Sequence, residues 1–333
     1  MRRGDTVFLD APVYVRSHFA CVGKKEGEGP LGACFDYAGE DNIFGQDTWE
    51  KAESEMLRIA CRGAMDKGGL RQEDVGFLLG GDLMNQCTAT SYAVRGLGLP
   101  FLGLYGACST MAETLLIGGL LIAGGFAENV LCTASSHFCT AERQYRYPLE
   151  YGGQRQPSAQ WTATAAGAVA LSSAPAAVRI SAVTAGRVYD PGVTDAGNMG
   201  AAMAQAAYET LHAYFRDSGD APADFDMIAT GDLAEIGSAL VRRLFAADGA
   251  DIGSAYTDCG LLLYGEEQDA HAGASGCGCS ASVLCGHILP MLERGELRRA
   301  LFCGTGALLS PLMVNQGESI PGICHLVCLE AVK

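Results

Sequence analysis

Positive charge is scarce in this chain: 23 Lys and Arg stand against 38 Asp and Glu, a net charge of −15 over 333 residues. That balance argues against nucleic acid or an acidic membrane surface as a direct partner, since both attract basic patches. An anionic small ligand must therefore find local positive potential. A membrane-spanning run is also missing. The apolar stretch Thr114 to Ala127 falls short of the ~20 residues a spanning helix needs, and Glu113 and Glu128 bracket it, so it reads as a core helix. The start, Met1 to Thr6, holds two arginines but no apolar stretch of secretory length, and Asp10 interrupts the short run that follows. The expectation is synthesis in the cytoplasm without a signal peptide.

What is present is apolar and small. Hydrophobic residues make up 49% of the chain, charged residues 18%, and there are 44 glycines, the composition of a tightly packed α/β protein. The 14 cysteines lie scattered through apolar segments, as at Cys61, Cys132, Cys303 and Cys328. With no export signal they read as reduced core thiols, not as a disulfide framework.

Cys108 is the most informative of them. It sits in Tyr105-Gly106-Ala107-Cys108-Ser109-Thr110, directly before the apolar helical run Met111 to Phe126. A thiol in the first turn of a buried helix faces free N–H groups and the positive end of the helix dipole, which predicts a lowered pKa and a thiolate.

An internal repeat gives the layout. Asp74 to Leu83 and Asp224 to Leu233 match in register 150 residues apart, each a short buried strand ending in Gly-Asp-Leu. Further on, a helix over Ala112 to Phe126 precedes a strand over Asn129 to Thr133, and a helix over Ala281 to Leu292 precedes one over Arg299 to Cys303. A repeat of that length indicates two similar α/β halves, residues 1–175 and 176–333, joined near Ser172 to Pro175. Asp47 with Glu50 reads as a capping box, followed by an amphipathic helix carrying Trp49, Ala52, Met56, Ile59 and Ala60 on one face. A similar helix runs from about Asn198 through Met203, Ala207, Leu211 and Tyr214.

Several other groups invite a function and admit a plainer reading. Cys277, Cys279, Cys285 and His287 suggest zinc, but their spacing matches no common zinc module, and thiols packing a glycine-rich turn account for them better. Trp161 offers a face to stack on an aromatic ligand or simply a core indole. The segment Cys303 to Pro311 looks superficially like a phosphate loop but lacks its lysine and spacing. His137 is either a ligand contact or a structural histidine bonded to nearby backbone.

Two α/β halves with a cysteine at the start of a central helix resemble the thiolase fold of thiolases and ketoacyl synthases, with five layers in an αβαβα arrangement. In the type III ketoacyl synthases the cysteine works with a histidine and an asparagine from the second half. Alignment of Asp226 to Asp232 puts Gly231 at the histidine position, and Gly276 to Val283 puts Cys277 at the asparagine position. Loss of one oxyanion donor typically costs ~10²–10³ in rate, so this resemblance implies a site with little condensing activity. An active acyltransferase using Cys108 is the alternative.

Nearly the whole chain also resembles the stage V sporulation protein AD family of endospore-forming bacteria. The matching strings are Ser135 to His137, Glu142 to Pro148, Tyr151 to Gln154, Asn198 to Met203, Ala229 to Leu233, Tyr256 to Gly260, Gly276 to Ser280 and Gly317 to Ile323. This resemblance implies a non-catalytic protein that binds dipicolinic acid, pyridine-2,6-dicarboxylic acid. It also implies a peripheral position on integral membrane subunits of a spore inner-membrane complex that loads the ligand into the forespore. A homodimer and no cofactor are expected. The ligand-binding residues expected by analogy are Cys108, Ser109, His137, Arg143, Asp232, Cys277 and Thr305, with Arg146 as a further cation. Asp232 has three readings: a partner for a protonated ligand group, a neighbour of ligand-chelated calcium, or the cap of the following helix, as Asp82 would be in the other half.

Overall fold

The computed structural model describes residues 1–145 and 154–332. The main strands are β1 (Thr6–Val22), β2 (Phe77–Gly81), β3 (Phe101–Gly103), β4 (Asn129–Ser136), β5 (Trp161–Thr162), β6 (Ala165–Ser172), β7 (Val178–Thr184), β8 (Met227–Thr230), β9 (Tyr256–Asp258), β10 (Ala274–Ser275), β11 (Arg299–Ala307) and β12 (Gly322–Ala331). The main helices are α1 (Trp49–Gly68), α2 (Thr88–Val94), α3 (Thr110–Ala123), α4 (Phe138–Tyr145), α5 (Met199–Ser218), α6 (Ala234–Ala247) and α7 (Cys277–Val283).

Ten strands follow one path, β9-β8-β11-β12-β7-β1-β6-β4-β2-β3, and β5 pairs with β10 in a separate ribbon. Outward from β1 come β6 and β4, antiparallel, then β2 and β3, parallel. Outward from β7 the order is β12 and β11, antiparallel, then β8 and β9, parallel. The same order and directions therefore occur twice. The seventeen-residue β1 joins them: Thr6–Phe8 and Val13–Val15 pair with β7, while Tyr14–Val22 pairs with β6.

Helices α1 and α2 cover the outer face of one half, α5 and α6 that of the other, and α3 and α7 lie between the two, which makes five layers. Only small residues permit that central approach. A Cβ at Gly167 of β6 would lie 2.5 Å from the Ala281 carbonyl oxygen of α7, and one at Gly278 would lie 2.2 Å from the Ala165 carbonyl oxygen. The central core holds Met111, Leu115, Val169 and Leu284; separate clusters lie under α5 (Leu211, Tyr214, Ile228) and under α1 (Met56, Leu57, Leu131). Each such side chain removed from water contributes about 1.5–3 kcal/mol.

α1 and α5 are both 20 residues long and begin 150 positions apart. Each has a polar N-cap, Thr48 accepting from the Lys51 N–H and Asn198 from the Ala201 N–H, and each ends on a left-handed glycine, Gly69 or Gly219. Asp47 is thus not the cap; its carboxylate pairs with Lys51 at 2.7 Å. The second central helix starts at Cys277, four residues earlier than the pattern suggests, and passes through a π turn, Leu284–Ile288, before Leu289–Glu293. Among the described residues no helix is long and apolar enough to cross a membrane.

Candidate functional site

Cys108 is buried, and it lies just ahead of α3, not in its first turn. Ala107 takes a positive φ of 50°, which turns the chain sharply before the helix. The Ser109 hydroxyl donates to the Gly106 carbonyl at 2.6 Å and the Thr110 hydroxyl to the Ala107 carbonyl at 2.6 Å. Ser109 therefore stabilises this turn and has no hydroxyl proton left for a ligand.

The floor under the turn is β11. A Cβ at Gly306 would meet the Gly106 carbonyl oxygen at 2.4 Å, and one at Gly304 would meet the Ser109 carbonyl oxygen at 3.0 Å. The glycines around Thr305 serve this close packing, which explains the loop-like Gly-Thr-Gly string without a phosphate.

Asp232 is fully buried beside Cys108. One carboxyl oxygen accepts from the Thr305 hydroxyl at 2.8 Å; the other accepts from the Gly276 N–H at 2.8 Å and the Ser275 hydroxyl at 3.1 Å. The Cys108 thiol lies close enough for the two groups to act on each other electrostatically. Thr305 is thus a support for Asp232, and its oxygen also accepts from the Asp232 N–H at 2.9 Å. The capping reading of Asp232 does not hold. Asp258 takes that place, accepting from the N–H groups of Leu233 and Ala234 at 2.9 and 2.8 Å. In the first half Asp82 accepts from the Met84 and Thr90 N–H groups, so the matched aspartates have diverged.

This setting reverses the electrostatics expected of Cys108. Burial, and then the charge of Asp232, push its thiol well above the ordinary cysteine range, so it is a neutral thiol and not a thiolate. Burial likewise raises the Asp232 carboxyl, against the pull of its hydrogen bonds.

At the position aligned with the ketoacyl synthase histidine, Gly231 leaves no room for a side chain: a Cβ would sit 2.8 Å from the Thr305 nitrogen. Cys277 is buried near Cys108, and its thiol donates to the Ser135 carbonyl at 2.8 Å. Cys279 and Cys285 reach two other carbonyls, those of Gly231 and Ala168. Among the described residues no group of three His, Cys, Asp or Glu is placed to hold a metal.

The structure does not bring the expected cations to this site. His137 is a buried structural histidine: Nε2 lies 2.8 Å from the Asn42 carbonyl oxygen, and Nδ1 accepts from the Cys139 N–H at 3.1 Å. Burial lowers its pKa, so it is neutral. Arg143 is exposed on α4 and pairs with Glu50 at 2.6 Å. Arg146 and the string Tyr151 to Gly153 lie outside the described residues.

A small cleft of about 30 Å³, room for about one water, opens above Cys108. Leu83, Met199, Ala307 and Leu309 make it apolar, with Thr162 and Ser275 on one wall. Tyr105 and Tyr145 line it as well, their hydroxyls 2.8 Å apart, and the Tyr145 hydroxyl donates to the Leu83 carbonyl. No Lys, Arg or His is among its described lining residues. Leu83, Tyr145, Met199 and Leu309 were not anticipated, because they come from four distant segments and carry no local signal beyond being apolar.

Comparison with known proteins agrees with this architecture. The chain aligns over 96% of its length with 3-oxoacyl-[acyl-carrier-protein] synthase III of Aquifex aeolicus VF5, covering 99% of that chain with a TM-score of 0.58 at 12% identity. Cerulenin-bound OleA of Xanthomonas campestris matches over 99% of both chains, with a TM-score of 0.62 at 15% identity. Human mitochondrial 3-ketoacyl-CoA thiolase, in complex with CoA, matches over 98% of this chain and 100% of its own, with a TM-score of 0.60 at 15% identity. These likenesses establish the thiolase-like fold. The stage V sporulation protein AD family matches residues 3–330. Stage V sporulation protein AD of Bacillus subtilis (strain 168) is 44% identical over 325 residues, covering 98% of this chain and 96% of that protein. The chain belongs to the stage V sporulation protein AD family, sporulation proteins with a thiolase-like fold.

Proposed function

We propose that this protein holds dipicolinic acid without turning it over, as a peripheral subunit of a spore membrane complex that takes the ligand into the forespore. The observation that carries the non-catalytic part is the buried Asp232 carboxyl beside the Cys108 thiol, whose charge adds to burial in raising that thiol. A condensing nucleophile needs a group that accepts its proton and donors that stabilise the developing oxyanion. Here the neighbour is itself acidic, Gly231 carries no side chain, and the Cys277 thiol is committed to the Ser135 carbonyl. Acyl transfer by Cys108 thus has neither an activating base nor an obvious oxyanion seat.

The ligand part rests on family membership together with the cleft. Its apolar walls suit a flat ring, and the tyrosine hydroxyls at Tyr105 and Tyr145 are donors that a carboxylate could take over. A pyridine dicarboxylate exceeds the present volume, so binding requires the two tyrosines to separate. With both Asp232 oxygens already occupied, calcium accompanying the ligand would be held by the ligand and by groups other than Asp232. A homodimer belongs to the same proposal; β3, an edge strand among the described residues with Leu102 exposed, offers it a surface.

Calorimetric titration of the purified protein with dipicolinate, with and without calcium, tests the reading. Saturable binding that discriminates against pyridine-3,5-dicarboxylate and weakens in Cys108→Ala is expected. Absence of saturable binding, or an acyl adduct on Cys108 after incubation with an acyl-CoA, overturns it.

A further inference from the structure

Trp161 and Thr162 are consecutive on β5, so their side chains leave the strand on opposite sides. Thr162 faces the Cys108 cleft. Trp161 faces the other way, one ring face stacked on Phe138 with centroids 3.9 Å apart. Against the same indole stand two cations: the Lys25 ammonium 3.6 Å from the ring centroid and the Arg155 guanidinium carbon 4.7 Å from it.

Acidic groups act on these cations only from a distance. No carboxylate lies within ion-pair distance of either among the described residues. Among the described residues Arg155 makes a single long hydrogen bond, 3.4 Å, to the Asp269 carbonyl, and its buried Nε and Nη2 have no partner there. The Asp269 carboxylate attracts both cations but turns to His271, 3.2 Å away. The buried acid Glu26 attracts Lys25; its Oε1 accepts from the Tyr264 hydroxyl and from the Thr164 N–H at 3.0 Å, while its Oε2 has no hydrogen-bond partner among the described residues. Burial makes both cations less basic than usual, and at Lys25 the Arg155 charge adds to it. Holding two partly buried cations together is costly unless something anionic joins them.

We propose that Lys25, Arg155 and Trp161 form a second ligand site, separated from the Cys108 cleft by β5, that takes an oxyanion group, carboxylate or phosphate, of a small molecule. The guanidinium offers Nε and Nη2 as a parallel pair of donors matching two oxygens of such a group, and Lys25 supplies the second charge. Trp161 orients both cations and reports on their occupancy.

The indole makes the test direct. In a Trp49→Phe background Trp161 is the remaining tryptophan, since the sequence has two. Its emission is followed while inorganic phosphate or malonate is added at constant ionic strength. A saturable change with phosphate identifies a phosphate-bearing ligand and one with malonate a carboxylate; in either case Arg155→Gln and Lys25→Gln each weaken binding at least tenfold. Cys108→Ala leaves the curve unchanged, which separates this site from the dipicolinate reading. A response that is absent or linear for both probes, or identical in the folded Arg155→Gln protein as checked by circular dichroism, overturns the proposal.

Discussion

Asp232 and Cys108 are buried side by side, the carboxyl from the second half of the chain acting on the thiol from the first. The pair sets the chemistry of the site, because a carboxylate beside a buried thiol opposes the charge that a nucleophile must acquire.

Removing that charge should free the thiol. Asp232→Asn is expected to speed alkylation of Cys108 by iodoacetamide at pH 8 by roughly tenfold or more, the factor that corresponds to one pKa unit. Peptide-resolved mass spectrometry separates Cys108 from the other thiols. Equal rates in the two proteins would show that burial alone suppresses the thiol.

The cleft and the cation on α4 make opposite predictions for the ligand. Ala307→Leu fills the cleft and should weaken dipicolinate binding at least tenfold, at about 1–3 kcal/mol of stability if the core must adjust. Arg143→Ala removes a surface ion pair worth ~0–1 kcal/mol and should leave affinity within twofold. The reverse pattern in calorimetry would move the ligand from the cleft to α4.

Gly306 has a role that any larger side chain would break. Gly306→Ala places a methyl 2.4 Å from the Gly106 carbonyl oxygen and should cost about 1–3 kcal/mol, read as a lower urea midpoint. An unchanged midpoint would mean that the turn before Cys108 yields easily.

Stability should fall as the pH rises. Burial, followed by the charge of Asp82, raises the Glu53 carboxyl above its ordinary value of 4.5. A raised carboxyl contributes stability that is complete below the unfolded pKa and is lost as the pH climbs through the folded one, at up to about 1.4 kcal/mol per pH unit. The urea midpoint is expected to drop between pH 5 and pH 8, and Glu53→Gln to flatten that slope. A midpoint that rises over this range, or a slope unaltered by the substitution, would contradict the shift.

The sequence makes the architecture legible because the architecture is written twice. Asp74 to Leu83 and Asp224 to Leu233 become β2 and β8, in equivalent places on the sheet path. Cys108 is legible because a polar, glycine-flanked turn meets an apolar helix there. The contacts that decide the role of each residue are not local. His137 is satisfied by Asn42 and Arg143 by Glu50, 95 and 93 positions away, so nothing beside either residue reveals that it is already occupied. Asp232 depends on Thr305, 73 positions on, and its likeness to Asp82 suggested a cap that Asp258 supplies instead. Likewise the cleft is assembled from apolar residues that any core would contain.

The long first strand has a consequence for how the molecule comes into being. β1 is paired on one side by β6 and on the other by β7, residues 165–172 and 178–184. During synthesis its two edges must wait until about half the chain has left the ribosome, a separation that makes pairing slow and leaves an apolar strand open to misplaced contacts. Once β7 arrives, the same strand binds both repeats, so neither can come apart without tearing the other's sheet. A protein whose halves share a strand has traded ease of assembly for a structure that opens all at once or not at all.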